Sequence, residues 1–451
     1  MLCSTLLAHS NEVSITPGFV REKRVNKTAS LPYNGCQPNR MTAFQIIALL
    51  ISLTALFSYL NYRWFRLPAT IGVMLIALLV SLGLIATRLF APSIEHEAAQ
   101  MLKQIDFDDT LMQGMLCFLL FAGALHINLN DLAEQRGVIS TLAIAGVVIS
   151  MFVFGTSIHF MLGWLGLPLS YSWCLLFGAL ISPTDPVAVI GILKAAKVPH
   201  TLEVQIAGES LFNDGIGVVA FIVLHEIAVS GKKASTGHIA QLFLEEAVGG
   251  AVFGLVVGWV TYRLLKSVDN YRVEVMLTLA LVVGGYALAS AIHTSGPIAI
   301  VVAGLFIGNH GRAFAMSETT RKNLDTFWEL IDEILNALLF VLIGLEVLVL
   351  TFTRDLFFAG LLAIPAILIA RWVSVIGPVA VISRWRKFTP GAVTLMTWGG
   401  LRGGISVALA LSLPAGPERE LVLAVTYIVV IFSILVQGLT IERVVRGWVK
   451  R

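Results

Sequence analysis

Of 451 residues, 57% are hydrophobic and only 13% charged, and the mean hydropathy is +0.84. Soluble domains carry about a quarter charged residues, so this composition excludes a soluble globular fold and predicts an all-α polytopic membrane protein in contact with lipid. The formal net charge of +3 is too small for a nucleic-acid footprint, and no nucleic-acid partner is expected.

The chain opens on a discordant stretch. Residues 1–42 are polar, carry Asn, Ser and Pro, and lack the apolar core of a signal peptide. Met41 followed by TAFQIIALLISLTALF is a natural beginning, so the extension reads as non-conforming, with Met41 the expected true start and a disordered tail the alternative. Thirteen apolar runs follow, near 43–62, 68–87, 109–127, 138–164, 171–193, 202–228, 240–262, 273–292, 295–309, 324–351, 356–382, 389–414 and 420–440. Most have the length needed to cross a hydrocarbon core of about 30 Å, and the shortest, 295–309, has that of a half-span. They define one transmembrane domain over 43–442, with 443–451 as a short cytoplasmic tail.

Lys and Arg accumulate on cytoplasmic loops. Eighteen lie on the odd-numbered loops and the C-terminus and six on the even loops, which predicts the N-terminus outside and the C-terminus inside. The four cysteines, Cys3, Cys36, Cys117 and Cys174, have no ligand spacing, and neither a disulfide framework nor a cofactor is expected.

Two runs are interrupted near their middles. In the fifth, ALISPTDPVAVIGIL, Pro183 and Pro186 have no N–H, which frees the carbonyls of Ala179 and Ser182 to face a cation. In the twelfth, TWGGLRGGISVALAL, four glycines surround Arg402. Paired interruptions in the two halves of a transporter mark its ion site. Each of these also carries an ionisable group, which a mere kink would not need.

The sixth run, IAGESLFNDGIGVVAFIV, holds Glu209, Ser210, Asn213 and Asp214. On a helix Ser210 and Asp214 share a face, as do Glu209 and Asn213. Asp214, Asn213 and Ser210 supply hard oxygens, and Asp185 with Thr184 supplies opposing ones from the broken fifth run. This is the ligand chemistry of a small alkali cation, Na⁺ or Li⁺. Burial disfavours a charged carboxylate and a second carboxylate disfavours it further, so such a site holds a proton until a cation displaces it. One site that cannot hold both ions, exposed alternately to each side, is an exchanger. Glu209 reads differently. An unpaired Glu and an unpaired Arg in a membrane are both costly, and two arginines, Arg371 and Arg402, lie inside runs. Pairing Glu209 with one of them is least costly, Arg371 being the favoured partner, and makes Glu209 structural.

SPTDPVAV at 182–189, GESLFNDGIGVV at 208–219, LIAR at 368–371, GGLRGGIS at 399–406 and VQGLTIE at 436–442 together resemble the first class of monovalent cation/proton antiporters, which includes bacterial NhaP-like and animal and plant Na⁺/H⁺ exchangers. The similarity covers about 43–442. It implies thirteen transmembrane helices in two inverted repeats with crossing discontinuous helices (the NhaA/NhaP-like fold), a homodimer, and multi-pass residence in the bacterial inner membrane. It also implies ion ligation by Asp214 with Thr184, Asp185, Ser210 and Asn213, and a structural Glu209–Arg371 pair. In such exchangers an Asn-Asp pair without an intramembrane lysine accompanies electroneutral one-for-one exchange, serving pH and sodium homeostasis, and this chain has both features. It departs from many prokaryotic members at Ala122, where they carry a glutamate, so no role of that glutamate transfers.

Na⁺ and K⁺ exchangers share these motifs, which leaves a K⁺/H⁺ antiporter as the alternative. An intramembrane aspartyl protease would need a Gly-x-Gly-Asp element where this chain has Phe212-Asn213-Asp214-Gly215. A cation channel would need a filter loop, and none is evident.

Overall fold

The computed structural model describes residues 42–87, 90, 99–102, 114–196, 198–230, 236–350, 353–386 and 388–449. The N-terminal extension up to and including Met41 lies outside the described residues, as do several of the loop lysines and arginines that carry the charge bias.

Helix α1 (Ala43–Leu60) begins at a capping box: Thr42 Oγ1 accepts from Gln45 N at 3.3 Å while Gln45 Oε1 accepts from Thr42 N at 2.8 Å. A π-helical turn, Asn61–Phe65, joins it to α2 (Ala69–Thr87). Then come α3 (Leu116–Leu125), α4 (Leu129–Trp164), the pair α5 (Tyr171–Ile181) and α6 (Val187–Ala195), and α7 (His200–Ser230). Helix α8 (Thr236–Phe243) passes through the π turn Leu244–Gly249 into α9 (Gly250–Leu265), followed by α10 (Tyr271–Ala291) and α11 (Gly296–Phe306). The chain ends with α12 (Glu318–Glu346), α13 (Arg354–Ile382), the pair α14 (Ala392–Trp398) and α15 (Gly404–Leu411), and α16 (Pro417–Phe432). A last π turn, Ser433–Gln437, carries α16 into α17 (Gly438–Val449).

Among the described residues nine helices are long and apolar enough to cross a membrane. The remaining four of the thirteen predicted runs coincide with the short apolar α3, the broken pairs α5/α6 and α14/α15, and α12, whose first half is charged. Helices are the expected solution in hydrocarbon, where every backbone N–H and C=O must find a partner within its own segment.

Two boundaries differ from expectation for a common reason. Helix α4 starts at Leu129 rather than near 138, capped by Asn128 Oδ1 on Asn130 N at 2.9 Å, because the polar segment NDLAEQRG is helical although not apolar. The predicted half-span at 295–309 is instead part of a 19-residue helix, Gly296–Phe314, that continues through a π turn at Ile307–Gly311. Hydropathy drops there at Asn309, whose amide is used internally. It donates to Ile127 O at 2.9 Å and accepts from Leu129 N at 2.8 Å, closing the gap between α3 and α4.

Helices α4, α5, α7 and α13 pack together, with α13 also against α16. In a second sector α9 lies on α11 along Gly250, Gly254 and Gly258. A Cβ on Gly250 would meet Ser295 O at 2.8 Å, so these glycines serve close helix approach. The opposite face of α9 exposes Val252, Leu255, Val256, Trp259 and Val260, an apolar surface suited to lipid. Helix α12 packs on α2 and α3, and α17 packs on α6 and α14. That last contact builds a small core of Val189, Leu193, Leu395, Leu401, Ile441 and Val445 beneath both helix breaks.

Candidate ion-binding site

Helix α5 stops because neither Pro183 nor Pro186 can donate a backbone hydrogen bond, and the chain leaves the helix from Ser182 to Pro186. Ser182 closes the first half: its hydroxyl donates to Gly178 O at 2.6 Å and its amide to Ala179 O at 3.3 Å. Gly217 of α7 lets the break approach closely, since a Cβ there would meet Pro183 Cγ at 2.5 Å.

The second break, 399–403, is laid against the first. Asp185 N donates to Leu401 O at 2.8 Å, an isolated antiparallel bridge between two interrupted helices. Arg402 completes the crossing. Its amide donates to Ser433 Oγ at 2.9 Å, and its buried guanidinium donates through Nη1 to the carbonyls of Ser182 and Pro183, the latter at 2.9 Å. Gly403 is required for space, because a Cβ there would overlap the Asp185 carboxylate. One expectation is corrected here. The carbonyls left over at the first break do not point toward a mobile cation: Ser182 O accepts from Arg402 and Ala179 O accepts from Ser182 N. A fixed charge buried in the protein must have acceptors, and these carbonyls are the ones within its reach.

Thr184, between the two prolines, joins the break to α7. Its amide donates to Asn213 Oδ1 at 3.3 Å, its Oγ1 accepts from Asn213 Nδ2 at 2.8 Å, and its hydroxyl lies 3.1 Å from that of Ser210. All three side chains are buried. Ser210 and Asn213, three residues apart, therefore meet at Thr184, whereas Glu209 points to α13. Asn213 uses both ends of its amide on Thr184, so its oxygen holds the break in place.

Asp214 follows on the same helix. Its Oδ1 is buried with no hydrogen-bond partner among the described residues. An ionised oxygen in that position is unfavourable unless a proton or a cation sits on it.

Glu209 and Arg371 form a two-pronged ion pair, with Arg371 Nη1 on Glu209 Oε1 and Nη2 on Oε2 at 2.9 Å, the side chains only 1% and 7% exposed. Arg371 Nε donates to Met396 O at 3.2 Å. A Cβ on Gly400 would overlap that same nitrogen, so the glycine-rich break admits the arginine as well as Asp185. Of the residues singled out in the sequence, Thr184, Ser210 and Asn213 are in direct contact, Asp185 following Thr184 in the first break and Asp214 following Asn213 on α7. Arg402 holds the crossing, and Ala122 is buried away from these contacts in α3. Ser433 and the carbonyl of Met396 were not foreseen. Their roles come from contacts 25 to 31 residues away in sequence, and a lone serine or a backbone oxygen gives no local signal.

Two interrupted helices crossing break to break beside a pair of intramembrane carboxylates define a helical membrane carrier for ions. The family model described as "Sodium/hydrogen exchanger, transmembrane" matches residues 51–447. Over 408 residues the chain is 51% identical to the Na(+)/H(+) antiporter NhaP of Pseudomonas aeruginosa, covering 89% of this chain and 96% of that protein. It is 35% identical over 413 residues to the Na(+)/H(+) antiporter NhaH of Halobacillus dabanensis, with the same coverage. The solved structure of the sodium proton antiporter MjNhaP1 from Methanocaldococcus jannaschii at pH 8 superposes with a TM-score of 0.71 at 18% identity, covering 90% of this chain and 99% of that one, and so shares its fold. The chain belongs to the sodium/hydrogen exchanger family.

Proposed function

We propose that this protein exchanges Na⁺ for H⁺ across the bacterial inner membrane by alternating access, with Asp214 and Asp185 as the carboxylates for which the two ions compete. The observation that carries this reading is the buried, unpartnered oxygen of Asp214 on α7, the helix packed against the first break, where Asp185 bridges to the second. A proton or an alkali cation satisfies that oxygen equally well, and neither leaves room for the other. Thr184 and Ser210 add hydroxyl oxygens at the same place, and Asn213 positions them.

The thirteen predicted runs, in two inverted repeats, are read as thirteen crossings, with the N-terminus outside and the C-terminus inside on the strength of the basic-residue bias. Exchange is one for one and electroneutral. What supports this is that Asn213 stands beside Asp214 and that no lysine lies in a predicted run. The protein works as a homodimer, as its family resemblance implies. Li⁺ and K⁺ fit the same oxygen chemistry, and K⁺/H⁺ exchange is the second reading.

The test is collapse of a preset pH gradient in everted vesicles on addition of Na⁺, Li⁺ or K⁺. Wild type should release protons on cation addition, and Asp214→Asn should abolish the response while the protein still inserts. Retained exchange in that variant would move the site elsewhere. A protease would give no signal, and a channel would follow voltage without needing a proton in return.

A further inference from the structure

Alongside α6, the half-helix that leaves the first break, lies a cleft of about 1130 Å³. Its walls come from α1, α2, α6, α12 and α17, and most of its lining is apolar. The exceptions are concentrated. Asp332 and Glu333 of α12 face it together with Glu442 and Arg446 of α17, and the last two form an ion pair with each other. Two carboxylates on α12 are therefore left without a neutralising arginine from the cleft wall. Asn336 and Thr54 also line the cleft. Both are more than nine-tenths buried, and Thr54 Oγ1 completes no hydrogen bond among the described residues.

Asn336 stands one helical turn beyond Asp332, on the same face. Two helical turns beyond Asp332 on α12, Leu339 packs against Gly404 at the second break, so the acidic end of this cleft lies on the helix that reaches the crossing. A cation with about six waters occupies roughly 200 Å³, taking about 30 Å³ per water, and fits with room to spare.

We infer that Asp332, with Asn336 and Thr54, forms a staging site that receives an alkali cation, still partly hydrated, from the cleft and passes it to Asp185 and Asp214. This rests on the exchanger reading above and adds a residue that sets cation affinity from one side of the membrane only. Clefts of one charge sign concentrate counter-ions locally, and here Asp332 and Glu333 stand in a cleft whose lining is mostly apolar. The buried Thr54 hydroxyl without a partner is the complementary feature, since an incoming ion with its water shell supplies what it lacks.

The experiment measures exchange kinetics of Asp332→Asn in proteoliposomes or vesicles sorted by orientation, with Na⁺ added to one face at a time. From the cleft side the KM for Na⁺ should rise about three- to tenfold, a tenfold change corresponding to about 1.4 kcal/mol, with kcat at saturating Na⁺ within about twofold of wild type. From the opposite side KM should be unchanged. Asp332→Glu should restore the wild-type KM, and Thr54→Val should shift it the same way by a smaller factor. An unchanged KM from both sides would overturn the staging site, as would an equal rise from both or a fall in kcat alone. If Asp332→Asn inserts poorly, Thr54→Val decides by the same criterion. Wild type lacking cation-driven proton release would instead overturn the exchanger reading, so the two failures are distinguishable.

Discussion

Breaking the Glu209–Arg371 pair one charge at a time should cost more stability than removing both. The pair is buried on each side, and Arg371 has one further acceptor, Met396 O at 3.2 Å. With Glu209→Gln the guanidinium keeps its charge, loses its counter-charge and has no water to turn to, at a cost of about 3–5 kcal/mol. Set against a typical net stability of about 5–15 kcal/mol, that loss is large enough to show as less inserted protein and earlier thermal unfolding in detergent. Arg371→Gln should lose a similar amount, because Glu209 is then the stranded charge. The double variant should be less destabilised than the sum of the singles, by a coupling of about 1.5 kcal/mol or more. Exchanging the charges, Glu209→Arg with Arg371→Glu, should recover part of the loss. Recovery is only partial because a glutamate cannot donate to Met396 O and the fit against Gly400 is built for an arginine. The assay is thermal unfolding of detergent-purified protein with the amount of inserted protein as a second readout. Additive single effects, or no recovery in the exchanged pair, would refute the reasoning.

Three further outcomes are expected. Asp185→Asn should cripple cation-driven proton release, and a near-normal apparent affinity in that variant would remove Asp185 from the site. Gly403→Ala puts a methyl where the Asp185 carboxylate lies, so exchange should fall at least about tenfold while insertion persists, as expected of a small displacement in a positioned site; wild-type kinetics would show that the carboxylate has room to move. If proton and cation compete for the same oxygens, as proposed, acidification should raise the apparent KM for Na⁺ by up to about tenfold per pH unit and leave the rate at saturating Na⁺ less affected. A KM that ignores pH would separate the two ions' sites.

Much of the site is readable in the sequence because its parts are chemically improbable where they stand. A carboxylate between two prolines in an apolar run, or an arginine among four glycines, has few explanations. The cost of an unpaired buried charge limited the partner of Glu209 to two arginines, and the family resemblance pointed to Arg371. The disposition of Arg402 was not readable, since its acceptors are backbone carbonyls some 220 residues earlier and no residue type announces them. Hydropathy also misplaces ends where a helix outlasts its apolar stretch, as at Leu129 and beyond Asn309. In both places a polar side chain caps or bridges backbone atoms that the periodicity does not register.

The guanidinium at the crossing has a consequence for turnover. A cargo ion departs once in every cycle, and any backbone scaffold that relied on it for charge balance would come apart at each departure. Here the balancing charge is tethered to the chain, so the two interrupted helices stay locked whether the carrier is loaded or vacant. Movement between the two sides can then be carried by whole helices shifting as a body.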